Sequence, residues 1–473
     1  MMGVRFVLNG RAVEAASADA HVTLLQWLRA EGLCGTKEGC AEGECGACAV
    51  ALITSEPGEA GSHFEPVNSC LLPLSAVHGR ELVTVEGVAD AEGRLHPVQA
   101  AMVAAGGSQC GYCTPGFVVS LFCEYYRPSR TGFDPESISG NLCRCTGYRP
   151  IADVARAMPE PAAQDPRLVQ LRSRAPALGA CESGSVEERF FRPGTLAEAF
   201  SVFEAHPGAI PIAGGTDLFV YANQRHQRWP VLLSLEALSE LQELSWGESE
   251  LVLGAGVPLA RIERELHRAQ LRIGLLEQLL PLFSSRLIRN RATLGGNLGT
   301  ASPIGDSAPA LLALGATLEL VSRRGSRRLP LRDFFTAYRQ TALEPGELIR
   351  AVRIARPFPE FQRFYKISKR VMDDISTVAG AFALSLDGEH KVTRFGVAFG
   401  GVAATPLAAP SLEQIALGRT WNSATLALLV KEAAQLGSPQ SDLRGSASYR
   451  QAMIGQLLEK FFYETELERE AAE

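Results

Sequence analysis

The chain has 473 residues, of which 46% are hydrophobic and 21% are charged, values typical of a globular protein. Its 46 basic and 52 acidic residues give a net charge of −6 without a basic stripe, so no nucleic-acid partner is expected. The length predicts three or four domains. No apolar run is long enough to cross a bilayer and the start lacks the apolar core of a signal peptide, so we expect a cytoplasmic protein without membrane contact. In that reducing compartment the 11 cysteines are expected to bind metal rather than form disulfides.

The first predicted feature is a strand at residues 4–8, where apolar and polar residues alternate up to a turn at Asn9-Gly10. A cysteine-rich loop follows and contains three cysteines, and a fourth comes after the strand-like stretch AVALIT. The four are Cys40, Cys45, Cys48 and Cys70. The C-x4-C-x2-C spacing with a distant fourth thiolate is that of a plant-type [2Fe–2S] cluster. Gly43 and Gly46 let the loop close tightly and aim N–H groups at the cluster. Structural zinc prefers two compact cysteine pairs, so it fits this loop less well.

A second group of cysteines lies at Cys110, Cys113, Cys143 and Cys145. The segments 115–127 and 135–145 are predicted to be helices, whose ends would present four thiolates to a second cluster. Taken alone, this C-x2-C with C-x-C also suits zinc. Three cysteines receive no role; of these Cys123 is expected to be a buried core thiol, and the others are Cys34 and Cys181.

The plant-type motif followed by QCGYCTPG and GNLCRCTGYRPI resembles the iron–sulfur half of the molybdenum hydroxylases, the xanthine dehydrogenase and aldehyde oxidase family. The resemblance covers residues 1 to about 158. It implies a β-grasp plant-type [2Fe–2S] domain at 1–86 and a helical [2Fe–2S] domain at 87–158. It also implies that Gln109 and Cys145 face the molybdopterin of a partner subunit.

Residues 159–188 are rich in proline, alanine and serine and are predicted to be a linker. Two glycine clusters follow, IPIAGGTDLFV at 210–220 and RATLGGNLGTASPIGD at 291–306. Glycines let the backbone approach an anionic group such as a pyrophosphate, although each cluster alone also suits an ordinary turn. GAGVPL at 254–259 is rejected as a Rossmann dinucleotide motif because Leu259 stands where the third glycine belongs.

Together the two glycine clusters resemble the FAD domain of the same family, a two-lobed α+β fold of the vanillyl-alcohol oxidase type, here at 189–358. A C-terminal α+β flavoprotein domain is expected at 359–473. The resemblance implies that the pyrophosphate is wrapped by Ala213, Gly214, Gly215, Thr216, Asp217 and Leu218. It implies further FAD contacts by Phe283, Thr293, Gly296, Asn297, Thr300, Asp306, Ile349 and Lys366. The stretch Ser368 to Asp374 matches a family loop beside the flavin. In the family, the charges of that loop bias the reaction of the flavin towards NAD+ or O2.

Towards the C-terminus, residues 376–402 predict an antiparallel meander with its hairpin turn at Asp387-Gly388. Two helices, at about 411–436 and 447–470, are predicted to complete the chain.

A flavin passes a hydride to nicotinamide, whereas an iron–sulfur cluster carries single electrons. The resemblance implies electron transfer from a molybdopterin-binding large subunit, through two [2Fe–2S] clusters and FAD, to NAD+ during hypoxanthine and xanthine oxidation. No catalytic residue of the molybdenum site is expected in this chain, and the expected assembly is a heterotetramer with two copies of each subunit. Two alternatives stay open: the equivalent subunit of an aldehyde or N-heterocycle hydroxylase, and a free-standing iron–sulfur flavoprotein.

Overall fold

The computed structural model describes residues 3–16 and 19–472. Its backbone forms two compact units: unit 1 holds residues 1–239 and 285–292, and unit 2 holds residues 240–284 and 293–473. Both units combine helices with sheets, so the fold is multidomain α+β, as predicted. Among the described residues no helix is both long and apolar enough to cross a lipid bilayer.

Unit 1 begins with a mixed five-stranded sheet in the order β2-β1-β5-β3-β4. The strands are β1 (Val4–Leu8), β2 (Arg11–Ala15), β3 (Ala49–Thr54), β4 (His63–Asn68) and β5 (Glu81–Val83). The predicted first strand and its turn are confirmed, because Leu8 pairs with Arg11 across Asn9 and Gly10, whose φ angles are 52° and 77°. Helix α1 (Leu24–Ala30) starts at a capping box on Thr23 and packs its leucines into the core of this sheet.

The next part of unit 1 is helical, with α2 (Pro97–Ala104), α3 (Thr114–Tyr125), α4 (Arg149–Ala157) and α5 (Pro166–Leu171). Helix α3 confirms the prediction for 115–127, and its apolar residues are fully buried. The helix predicted at 135–145 is wrong: a single 3-10 turn spans Pro135–Ile138. The segment after it donates to the first cysteine loop instead, through Leu142 N–H to Cys45 O and Asn141 Nδ2 to Gly46 O.

The remainder of unit 1 is a four-stranded sheet in the order β6-β7-β9-β8. Its strands are β6 (Cys181–Gly184), β7 (Arg189–Arg192), β8 (Ile210–Ile212) and β9 (Val231–Ser234), and its helices are α6 (Leu196–Ala205), α7 (Leu218–Gln224) and α10 (Arg286–Arg289). The predicted linker is therefore partly structured, since α5 starts at an Asp165 cap and β6 pairs with β7.

Unit 2 contains an antiparallel five-stranded sheet in the order β10-β11-β16-β12-β13 and a two-stranded sheet β14-β15. The strands are β10 (Leu244–Trp246), β11 (Glu250–Gly254), β12 (Thr317–Ser322), β13 (Gly325–Pro330), β14 (Phe335–Ala337), β15 (Gln340–Thr341) and β16 (Leu348–Ala355). The helices in this part are α8 (Leu259–Arg268), α9 (Gly274–Leu282), α11 (Leu294–Gly299) and α12 (Ser307–Ala313).

The C-terminal part of unit 2 is the predicted meander, with β17 (Phe361–Ile367), β18 (Val378–Leu386), β19 (Val392–Gly400) and β20 (Leu407–Ala408). The β18–β19 connection is a longer loop than the predicted two-residue turn, closed by Asp387 N–H to Lys391 O at 2.9 Å. Three helices follow, α13 (Pro410–Ala416), α14 (Ser423–Ala433) and α15 (Ala447–Ala472). The single helix predicted at 411–436 is wrong, because the chain turns between α13 and α14 at Gly418, whose φ is 72°.

Candidate iron–sulfur and flavin sites

The first thiol set, Cys40, Cys45, Cys48 and Cys70, lies in unit 1, where the thiols neighbour one another in two pairs, Cys40 with Cys45 and Cys48 with Cys70. Cys48 and Cys70 are each 2% exposed. The sulfur of Cys40 also accepts the backbone N–H groups of Glu42 at 3.5 Å and Cys45 at 3.4 Å. The Cys45 thiol and these backbone donors lower the pKa of Cys40, which favours the thiolate that ligates metal.

Both glycines of this loop are required by its shape. Gly43 has φ 85°, and a Cβ there would lie 2.5 Å from the Leu71 side chain. Gly46 has φ 62°, and its Cβ would lie 2.2 Å from Gly140 O. A side chain at Gly46 would therefore push the loop away from Gly140, and one at Gly43 would need a strained backbone and a shift of the Leu71 side chain.

Asn68 is a residue of this site that the sequence reasoning missed. Its Nδ2 donates to Gly43 O at 2.9 Å, and its Oδ1 accepts from the Cys48 thiol at 3.6 Å. Asn68 thus fixes the loop and the Cys48 thiol together. The signal in the sequence that could have identified it is its position two residues before Cys70.

The second thiol set, Cys110, Cys113, Cys143 and Cys145, also forms two pairs in unit 1. Cys110 pairs with Cys145, and Cys113 pairs with Cys143. Cys113 lies directly before α3, as predicted, but Cys143 and Cys145 lie on the loop before α4 rather than at a helix end. Thr146 supports this loop by donating its backbone N–H to the Cys143 sulfur at 3.5 Å.

The two thiol sets are joined by backbone contacts. Leu142, the neighbour of Cys143, donates its N–H to the carbonyl of Cys45 at 3.0 Å. Gly116 in α3 packs so closely on this loop that a Cβ would lie 2.2 Å from Gly46 O. The backbone of Cys45 in one set is therefore one hydrogen bond from Leu142, the neighbour of Cys143 in the other set.

The pairing of the thiols fits a binuclear iron centre. A [2Fe–2S] cluster takes four cysteines, two on each iron. Two pairs in each set match the cluster, so the donor sets fit iron–sulfur chemistry.

The first predicted flavin loop, Ala213 to Leu218, connects β8 to α7 in unit 1. Gly214 is packed against the backbone, since its Cβ would lie 1.9 Å from Arg291 O, and Gly215 has φ 78°. Thr216 is half-buried and Asp217 exposed at the start of α7. The loop therefore presents hydroxyl and backbone groups rather than large side chains, which fits the approach of an anionic phosphate.

A buried charge cluster that the sequence reasoning missed lies behind this loop. Glu236 pairs with Arg80 at 2.8 Å and with Arg291, and the side chains of these three residues are 12%, 10% and 10% exposed. Burial alone would raise the pKa of Glu236, but the two guanidinium groups outweigh burial and lower it to about 2. The pair with Arg291 fixes the backbone against which Gly214 packs.

The second predicted flavin loop lies in unit 2 on the short helix α11. Thr293 caps this helix by accepting Gly296 N–H at 3.0 Å, and Thr300 donates its hydroxyl to Asn297 O at 2.8 Å. A Cβ on Gly296 would meet only Thr293 Oγ1, at 3.1 Å, and one on Gly299 would meet nothing within 4 Å. This exposed face without side chains fits the close approach of a cofactor.

The remaining predicted flavin residues also lie in unit 2. Lys366 and Asp306 form a buried ion pair at 2.9 Å, and Ser376 donates to the same carboxylate at 2.5 Å. Lys366 also donates to Leu282 O at 2.8 Å, directly before the half-buried Phe283. Three predicted contacts are thus brought together. Ile349 lies on β16 and is 7% exposed.

The loop from Ser368 to Asp374 is exposed at its centre, where Val371 is 78% exposed, and half-buried at both ends. It contacts the segment after Phe283, because Ser284 donates its hydroxyl to Asp373 at 3.1 Å. This places the loop next to the residue that is predicted to stack on the flavin.

The cysteines outside the two sets have separate environments. Cys123 is buried in the apolar core around α3, which confirms its expected role as a core thiol, and burial raises its pKa well above the ordinary value. Cys34 is exposed and Cys181 half-buried on β6.

Four family models match the chain. They are the 2Fe-2S iron-sulfur cluster binding domain at residues 6–75, the [2Fe-2S] binding domain at 84–156, the FAD binding domain in molybdopterin dehydrogenase at 185–357 and the CO dehydrogenase flavoprotein C-terminal domain at 363–465.

Known proteins are similar over the same regions. A xanthine dehydrogenase of Emericella nidulans is 31% identical over 98% of this chain, and the chain spans only 38% of that relative's length. CO dehydrogenase from Oligotropha carboxidovorans has a chain of similar structure, with TM-score 0.54 and 28% identity over 59% of this chain and 96% of that one. A chain of quinoline 2-oxidoreductase from Pseudomonas putida 86 gives TM-score 0.53 and 27% identity over 58% of this chain and 94% of that one. Because two iron–sulfur domains and a molybdopterin-dehydrogenase type of FAD domain follow one another here, the chain belongs to the molybdenum hydroxylase family and carries that family's [2Fe–2S] and FAD-binding domains.

Proposed function

We propose that the chain is the iron–sulfur and FAD subunit of a xanthine dehydrogenase, as in the bacterial small subunit that its sequence resembles. In this role the chain passes electrons from a molybdenum cofactor on a partner subunit to NAD+ while hypoxanthine and xanthine are oxidised. The observation that carries the proposal is the pair of thiol sets in one unit, joined by the hydrogen bond from Leu142 to Cys45. The purine assignment is supported by the xanthine dehydrogenase relative.

The proposal includes the site residues and the domain limits given from the sequence. The eight cysteines of the two thiol sets would hold two [2Fe–2S] clusters, and the residues of the two flavin loops, with Phe283, Ile349 and Lys366, would hold FAD. When bound, the clusters carry single electrons and the flavin exchanges two with nicotinamide. The backbone donors around Cys40 keep its sulfur in the ligand form, and the Leu142–Cys45 hydrogen bond keeps the two thiol sets close.

The surface around the second thiol set supports a partner subunit. Cys110 and Cys145 are exposed, and Leu142 and Tyr148 are each 40% exposed beside them. Exposed apolar side chains around ligand thiols are typical of a surface that another protein covers. We assign this face to the molybdopterin-binding large subunit, with Gln109 and Cys145 towards the pterin, in a heterotetramer of two copies of each chain.

The test uses the complex purified from cells that express both chains. We expect molybdenum, iron, sulfide and FAD in the preparation, and NAD+ reduction driven by xanthine. Cys45→Ser is expected to abolish xanthine-driven NAD+ reduction while electron transfer from NADH to a dye persists. Cys34→Ser, a change at an exposed cysteine outside both thiol sets, is the matched control and is expected to leave both activities intact.

Several outcomes would contradict the proposal. Loss of both activities in Cys45→Ser with FAD kept saturating would contradict the electron-transfer order, and zinc in place of iron would contradict the cluster assignment. Isolation as a single chain without molybdenum would favour a free-standing flavoprotein.

The second candidate is the same subunit in a hydroxylase of aldehydes or N-heterocycles. It is favoured by the similarity to quinoline 2-oxidoreductase. Activity of the complex on quinoline or aldehydes, without activity on xanthine, would establish it.

A further inference from the structure

Helix α7 connects the first flavin loop to the first thiol set within unit 1. The helix starts at Leu218, the last residue of the predicted pyrophosphate loop, and ends at Gln224. Near its end the amide nitrogen of Asn223 donates to Ala41 O at 2.9 Å and to Cys70 O at 2.8 Å. One half-buried side chain thus reaches two segments that are far apart in sequence.

These two carbonyl groups lie in the segments that carry two different thiol pairs. Cys70 is paired with Cys48, and Ala41 directly follows Cys40, which is paired with Cys45. Ala41 has φ 56°, a left-handed conformation that costs free energy for a residue with a Cβ. The hydrogen bond from Asn223 stabilises this backbone and ties both pairs to one helix. Gln224 adds a bond to Cys40 O at 2.7 Å, but it lies in solvent.

The loop before α7 lies close to the segment that carries Cys70. A Cβ on Gly215 would lie 3.0 Å from the carbonyl of Leu71, the neighbour of Cys70. Phe219, in the first turn of the helix, is fully buried in the core that also contains Cys48 and Cys70. The flavin loop and the thiol set are therefore held by one short, well-packed helix, at both of its ends.

We propose that Asn223 is a positioning residue that couples FAD binding by the loop at 213–218 to loading of the first thiol set with iron. The coupling rests on the proposed site residues. An iron centre that fixes the backbone at Ala41 and Cys70 orders α7, and an ordered α7 presents the flavin loop in its binding conformation. Linkage is reciprocal, so bound FAD favours a loaded thiol set by the same factor.

The experiment is a double-mutant cycle on the full chain in its complex, with the FAD dissociation constant as the readout. The four proteins are the parent, Cys45→Ser, Asn223→Leu and the double variant. Removing iron with Cys45→Ser is expected to weaken FAD binding about tenfold, the scale of two hydrogen bonds. In the N223L background the same change is expected to have no further effect. Gln224→Ala, which removes only the solvent-exposed bond, is expected to retain most of the coupling.

Equal effects of Cys45→Ser in both backgrounds would overturn the proposal. If N223L is poorly folded, Asn223→Asp keeps the shape, removes the donors and must also abolish the coupling.

EPR of the reduced first cluster gives an independent readout. N223L is expected to broaden the EPR signal at full iron content, and an unchanged signal also counts against the role of Asn223. A parent protein without iron or without FAD would instead refute the proposed cofactor sites, so the two failures are distinguishable.

Discussion

Gly116→Ala tests whether the close approach of the two thiol sets decides iron loading. Gly116 lies in the first turn of α3 with helical backbone, so alanine by itself would favour the helix by about 1 kcal/mol. Its Cβ, however, would lie 2.2 Å from Gly46 O, and this backbone oxygen cannot rotate away. Relief needs a shift of about 1 Å between α3 and the first cysteine loop, and overpacking of this kind costs about 3 kcal/mol.

The folded chain is then destabilised by about 2 kcal/mol net, roughly a 30-fold shift in its unfolding equilibrium, and the first cysteine loop is displaced from α3. We expect iron and acid-labile sulfide per chain to fall, and the EPR signal of the first cluster to weaken or broaden. Gly208→Ala, also in unit 1 and with nothing within 4 Å of its Cβ, is the control and is expected to keep full iron content. A Gly116→Ala protein with full iron, parental EPR signals and raised resistance to urea would refute the reasoning.

Other changes give further expectations. Asn297→Asp puts a negative charge beside the proposed FAD phosphates, so flavin per chain is expected to fall several-fold at constant iron; unchanged flavin absorbance would argue against that placement. Glu236→Gln leaves Arg80 and Arg291 buried without their carboxylate and is expected to cost about 3 kcal/mol at pH 7, measured by urea unfolding. Because folding lowers the pKa of Glu236 from 4.5 to about 2, its stabilisation is complete above pH 4.5 and is lost as the pH falls through 2, so the deficit of E236Q must shrink over that range. Asn68→Leu removes the contacts to Gly43 and Cys48, so a chelator is expected to strip iron from the first thiol set faster than in the parent; equal rates would show that Asn68 has no such role.

Local patterns predicted much of the fold. Alternation predicted β1, and the apolar spacing after Pro115 predicted α3, because each element buries one apolar face or stripe. The spacing of the cysteines is likewise local, and it indicated two groups of thiols that the structure brings together as pairs.

The errors arose where distant partners decide the structure. Residues 135–145 have an acceptable helical pattern, but Asn141 and Leu142 donate to the first cysteine loop, about 95 residues earlier, and not to their own segment. The predicted linker contains β6 because β7 supplies a pairing edge. Side-chain donors such as Asn223 and the Glu236 charge cluster also act across long sequence separations, and no local pattern marks them.

Access from solvent differs among the thiols of the two sets, and this has a consequence for oxidative damage. Cys110 and Cys145 lie at the surface, so a free chain offers them directly to peroxide and to an iron-donating scaffold. Cys48 and Cys70 are each 2% exposed and are reached only when the surrounding core opens. Oxidation of a free chain is therefore expected to begin at Cys110 and Cys145 and to reach Cys48 and Cys70 last.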